Sequence, residues 1–175
     1  VDTSNTWTDE NVKEKETRSI TIGGTEKKGK LLTASDELAK ADRLEMITCC
    51  WSNGQTGSSI TLGQGDVGET ITVTASYTDT LGTEESVASS ATSAVANVND
   101  LPTGSVTIGG TATQGQLLTA SNDLADADGL ETITYSWSNG QTGSSITLGQ
   151  GDVGETITVT ASYTDTLGTE ESVAL

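Results

Sequence analysis

Histidine and phenylalanine are absent from this chain, methionine occurs once, cysteine occurs only as the adjacent pair Cys49-Cys50, and no basic residue follows Arg43. Each absence excludes something. Without histidine, a usable cysteine pair, a Gly-rich phosphate loop leading into a helix, or a serine beside a plausible base, the common acid, base and nucleophile arrangements are missing. Paired carboxylates such as Glu84-Glu85 do not supply the lack, because neighbours on a strand face opposite ways. The chain is not expected to be an enzyme. Without phenylalanine, cores must be built from Ile, Val, Leu and Ala with three Trp and three Tyr. The cysteines stand where the second half of the chain has Tyr135 and Ser136, so a disulfide is not part of the fold, and two separate thiols on opposite strand faces are expected. No run of 18 apolar residues is present, which predicts no membrane span. No signal peptide is visible at Val1, which reads as an internal cut.

The missing basic residues leave a net charge of −17, with sixteen acidic side chains between Glu45 and Leu175. Such a surface repels nucleic acid, and no nucleic-acid partner is expected. It serves either as a solvated acidic face or as a supply of carboxylates for a hard cation.

What is present is repetition. Residues 51–86 recur unchanged as residues 137–172, an offset of 86, and residues 19–50 match residues 105–136 at 20 of 32 positions. The 175 residues are two periods and a remnant. A chain that copies a whole domain is more often a spacer, a filament or a multivalent binder than a single active site.

Within a period the apolar spacing is two. ETITVTASYTD puts Ile157, Val159, Ala161 and Tyr163 on one face and Thr156, Thr158, Thr160 and Ser162 on the other, and ETITYSWSN does the same with Ile133, Tyr135 and Trp137. The runs SVTIGG, GQLLTAS, SSITLG and SVASSATSAVANV fit further strands. Asn139-Gly140 predicts a tight primed hairpin turn. About seven short strands between turns suggest a two-sheet sandwich. The Thr rows at 70–74 and 156–160 read as β-propensity before any ordered-water face.

Three segments, NVNDLPTG (97–104), LADADGLETITYSW (124–137) and GDVGETITVTASYTD (151–165), carry a likeness over nearly the whole chain. The chain resembles the bacterial immunoglobulin-like and cadherin-like tandem repeats of large secreted surface proteins and adhesins. The resemblance implies an all-β chain of tandem immunoglobulin-like antiparallel β-sandwiches, about seven strands each, set end to end. Residues 1–12 would be the last strand of a preceding or neighbouring sandwich, 15–98 the first repeat, 99–103 a linker, and 104–175 a second repeat lacking its last strand.

In a sandwich, loops sort by end, so Asn99 and Asp100 should face the loop with Asp123, Asp126 and Asp128 and the loop at 165–170, with Asp66 and Glu69 offered by the preceding repeat. Crowded carboxylates suit a cation with six to eight oxygen ligands, and also suit plain solvated turns. The similar families bind calcium at such junctions, which by carry-over gives Asn99, Asp100, Asp126 and Asp128 as ligands. The first repeat has Lys13-Glu14 and Lys40-Ala41-Asp42-Arg43 there, a broken set.

The function implied is a structural stalk repeat of a secreted adhesin or extracellular fibre, at the cell surface, whose partners are neighbouring repeats and further copies head to tail. Two rivals stand beside it: a filament subunit joined by strand complementation, and a multivalent carbohydrate- or partner-binding module. A sugar site needs an exposed aromatic platform, whereas Trp51, Trp137, Tyr77 and Tyr163 fall on the inward register, with Trp7 the exception.

Overall fold

The computed structural model describes residues 19–36, 48–78 and 82–175. The strand expected at residues 1–12, Trp7, and the Lys13-Glu14 and Lys40 to Arg43 segments lie outside them. The chain divides into two compact units, Val1–Asn97 and Val98–Leu175.

Both units are all-β and antiparallel. In the first, β1 (Ile20–Gly24), β2 (Leu31–Asp36) and β4 (Ser59–Thr61) form one sheet in the order β1-β2-β4, and β3 (Thr48–Trp51), β5 (Val73–Thr78) and β6 (Glu84–Ala88) form the other in the order β3-β5-β6. The second repeats this with β7 (Val106–Gly110), β8 (Leu117–Asn122) and β10 (Ser145–Thr147) in one sheet, and β9 (Thr134–Trp137), β11 (Val159–Thr164) and β12 (Glu170–Ala174) in the other. The two sheets of a unit share one core: Val106, Leu118 and Ile146 from one sheet cluster with Trp137, Val159 and Ala161 from the other. The period-two reading of 156–163 therefore holds where it matters, since Val159, Ala161 and Tyr163 are buried. Val159 pairs with Trp137, whose indole N–H donates to the Gly143 carbonyl at 2.8 Å. That bond satisfies the polar edge of an otherwise apolar side chain.

Three expectations are corrected. Among the described residues each unit has six ladder strands in two three-stranded sheets, against about seven expected for a full repeat. The run SVASSATSAVANV yields β6 only as far as Ala88, and beyond it the chain makes isolated parallel bridges, Val95 to Val67 and Ala96 to Lys27. The reason lies in its hydroxyls: Ser89 Oγ accepts from the Val73 amide at 3.0 Å and Thr92 Oγ1 from the Ile71 amide at 2.9 Å, taking the place of ladder carbonyls. The turn at Asn139-Gly140 is not of the primed type, because only Gly140 has positive φ. Trp137 and Gln141 close a three-residue loop, the length at which a single left-handed glycine suffices. Asn139 works through its side chain there, accepting from the Gln141 amide and donating to Asp152.

The thiols are as expected: Cys49 is buried, Cys50 is exposed, and both are free. Burial foremost, then the charge of Asp36 and the neighbouring Cys50, pushes the Cys49 thiol above the ordinary range.

Candidate functional site

The linker segment belongs to the second unit and is stapled to it by carboxylates. The Asp100 amide donates to Asp128 Oδ2 at 2.7 Å, and Asn99 Nδ2 donates to Glu171 Oε1 at 2.6 Å. Further along, Thr103 and Ala125 exchange backbone hydrogen bonds at 2.8 and 3.0 Å, and the Ser105 amide and hydroxyl both donate to Asp123 Oδ1. Gly104 lets the chain pass: its φ is +94°, and a Cβ there would lie 2.5 Å from the Asp123 carbonyl oxygen. Any side chain at 104 would displace the staple.

The receiving loop is ordered by the same chemistry. Asp126 Oδ1 accepts from the Asp128 amide at 2.8 Å, the Asx-turn that D-x-D sequences favour, and its Oδ2 accepts from the Tyr163 hydroxyl at 2.6 Å. Asp128, 2% exposed, has its carbonyl held by the Thr166 hydroxyl and amide. Gly129 is needed beside it, since φ is +91° and a Cβ would meet Thr166 at 2.5 Å.

All four sequence-predicted ligands, Asn99, Asp100, Asp126 and Asp128, thus lie at one end of the second unit, together with the 165–170 loop. Two acidic residues there fall outside the predicted ligand set. Glu171 offers no signal beyond its place on a strand. Asp165 does: D-T-L-G-T is a tight turn sequence, and Asp165 Oδ1 accepts from the Leu167 and Thr169 amides, both at 2.8 Å. Asp165 is 1% exposed, and its Oδ2 is buried without a hydrogen-bond partner. The Thr169 amide above all holds this carboxyl below the ordinary range, against burial and the charge of Asp128, which push it up. The Ser105 amide, then its hydroxyl, holds Asp123 low likewise. Burial first, then the hydrogen bond to Asp126 and the charges of Asp126, Glu171 and Asp165, pushes the Tyr163 hydroxyl far above its usual value.

These residues suit a hard cation in donor chemistry, and Asp165 Oδ2 is an orphan oxygen of the kind a cation would take. The carboxylates are not drawn into a shell, however: among the described residues no three acidic or thiol side chains form a metal-holding group. Oxygens of Asp123, Asp126, Asp128 and Asp165 face amide and hydroxyl donors instead. The arrangement as it stands fixes a linker.

The titrations set a pH window. Asp165 and Asp123 have lowered values in the folded unit, so the stability they contribute is present above the unfolded carboxylate value near 3.9 and is lost as pH falls below it. Tyr163 has a raised value, so its contribution is present below about 10 and is lost as pH rises past it. The melting temperature of the second unit is expected to be flat between these limits and to fall at both ends. Tyr163→Phe should shallow the alkaline limb alone, as followed by circular dichroism; an unchanged limb would remove Tyr163 from this account.

No family model matches the chain, and neither does any curated protein or solved structure.

Proposed function

We propose that this chain is a length of stalk from a secreted bacterial surface adhesin or extracellular fibre, built of immunoglobulin-like sandwich repeats in tandem and acting outside the cell. The observation that carries the reading is the staple at residues 99–105. A connector between domains that only tethers them needs no built-in structure, whereas this one is bonded to its own repeat at Asp123, Ala125, Asp128 and Glu171. Near-identical repeats with ordered connectors suit a device for reach. Its working partners are then neighbouring repeats rather than a soluble ligand.

Calcium fits this role as a stiffener. Asn99, Asp100, Asp126 and Asp128 would hold it, with Asp165 Oδ2 as a further oxygen, and the ion would draw together carboxylates that otherwise repel. The recognition-module rival has less support: among the described residues Trp51, Trp137 and Tyr163 are buried and Tyr77 and Tyr135 half-buried, leaving no exposed platform for a sugar ring. The strand-joined filament has a specific difficulty. Residues 1–12 are the segment placed to act as donor, and in the repeat register their Asp9 falls where Val95 is buried, which costs a charge in a core.

Concatemers of two, three and four 86-residue periods test the stalk. Their maximum dimension by X-ray scattering should rise by a constant step per period in millimolar calcium, and Asp126→Asn with Asp128→Asn should abolish any calcium-dependent part. Growth with the square root of repeat number would mean flexible linkers and no stalk. Melting and scattering both indifferent to calcium would make the acids solvation only.

A further inference from the structure

Seven asparagines stand in the chain, and two of them, Asn53 and Asn139, are followed by glycine. That dipeptide is the one in which an asparagine most readily loses its side-chain amide, because glycine has no Cβ to keep its own nitrogen away from the asparagine Cγ. The hairpin loops nonetheless call for both residues. Gly54 and Gly140 each have φ +85°, which glycine adopts without strain, and each asparagine bonds across its loop.

In the folded loop every group that takes part in such a loss is engaged. Asn139 Nδ2 donates to Asp152 Oδ1 at 3.0 Å and Asn139 Oδ1 accepts from the Gln141 amide at 3.2 Å, which fixes both ends of the side-chain amide. The Gly140 amide donates to the Trp137 carbonyl at 2.9 Å, so the nitrogen that would attack is bonded elsewhere through its proton. Asp152 is itself held, since its Oδ2 accepts from the Gly149 amide at 2.7 Å. The first unit repeats each bond: Asn53 to Asp66 at 3.0 Å, the Gln55 amide to Asn53 at 3.2 Å, the Gly54 amide to Trp51 at 2.9 Å and the Gly63 amide to Asp66 at 2.8 Å. Both asparagines are half-buried.

We propose that Asn53 and Asn139 are latent deamidation sites, held unreactive by their bonds to Asp66 and Asp152 and exposed to reaction with water when the loop opens. In the opened loop the glycine nitrogen gives its proton to solvent base and bonds to Cγ, the Cγ–Nδ2 bond breaks, and Nδ2 leaves as ammonia with a proton from water. Water then adds across one of the two C–N bonds of the cyclic imide, leaving an aspartyl or an isoaspartyl residue. Either product works against the loop. The Nδ2 donor is gone, and a new carboxylate stands against that of Asp152, so a hydrogen bond to a charged acceptor gives way to a like-charge contact. The isoaspartyl form also adds a backbone carbon to the three-residue loop that Trp137 and Gln141 close. The change runs one way, and a modified loop closes less well than before. This proposal stands on the loop geometry and does not depend on the stalk reading.

The test incubates the whole chain at neutral pH, cleaves it after glutamate, and follows the conversion of amide to acid by mass in fragments 46–69 and 132–155, which differ in sequence ahead of the tryptophan. In denaturant both asparagines should convert as fast as the free peptide of residues 137–143, WSNGQTG. In buffer each should convert about 100-fold more slowly, the factor for an open form populated at about 1%. Asp152→Ala should speed Asn139 about tenfold, the worth of a hydrogen bond to a charged group, while Asn53 in the same molecule keeps its rate. Should Asp152→Ala unfold the second unit, Asp152→Asn, of the same shape but able to accept from only one of its two donors, takes its place with the same expected direction. Asn139→Asp, the product made directly, should lower the denaturant midpoint of the second unit. Equal rates in buffer and denaturant would overturn the protection, an Asn139 no faster than Asn53 in the folded Asp152 variants would overturn the part of Asp152, and an unchanged midpoint in Asn139→Asp would overturn the consequence.

Discussion

Trp137→Ala should destabilise the second unit by about 3–5 kcal/mol, the range for a large aromatic taken from a packed core. Trp137 is 4% exposed and sits between the sheets, paired with Val159. Its removal also leaves the Gly143 carbonyl without the indole donor. A domain of this size holds roughly 4–13 kcal/mol in total, at 0.05–0.15 kcal/mol per residue, so the variant should leave the unit near its threshold. Chemical denaturation should show two transitions, with only that of the second unit displaced, and Trp51→Ala should mirror the effect in the first. A loss under about 1 kcal/mol would mean that the tryptophan is not a core residue, and the recognition-module reading would regain ground.

Ile71→Ala and Ile157→Ala are the same change in the same local sequence, yet they should not cost the same. Ile71 is closed over by the segment that carries Val95 and Thr92, and removing its side chain should cost about 2–5 kcal/mol. Ile157 is only half-buried, and its loss should cost about half as much. Denaturant midpoints of the two single variants decide it. Equal losses would show that the covering segment adds nothing to the packing of Ile71.

The alternation along 156–163 was legible in the sequence because a half-buried strand must place every second side chain in the core, and Val159, Ala161 and Tyr163 are found there. The gathering of Asn99, Asp100, Asp126 and Asp128 at one end followed from the chain order of strands, since loops on one side of a sheet pair meet. What those carboxylates do there was less legible. Charge counts in the sequence suggest repulsion and a cation, whereas backbone amides, which every residue carries and no composition reveals, meet much of the demand at Asp123, Asp126 and Asp128. The want of a ladder beyond Ala88 has a related reason. Side-chain hydroxyls of Ser89 and Thr92 replace ladder bonds, and a Ser/Thr-rich run does not announce whether its hydroxyls face water or the backbone. Glu171 and the orphan oxygen of Asp165 belong to tertiary geometry alone.

The central claim is that the linker is part of the second unit's structure. Amide hydrogen exchange at residues 97–105, a stretch with its own sequence, measures it directly. The account predicts that the Asp100 and Thr103 amides, bonded to Asp128 and Ala125, exchange as slowly as those of β8 and β11, and that Asp128→Ala releases Asp100 while Thr103 stays protected. Exchange of both amides at the rate of an unstructured peptide would contradict it.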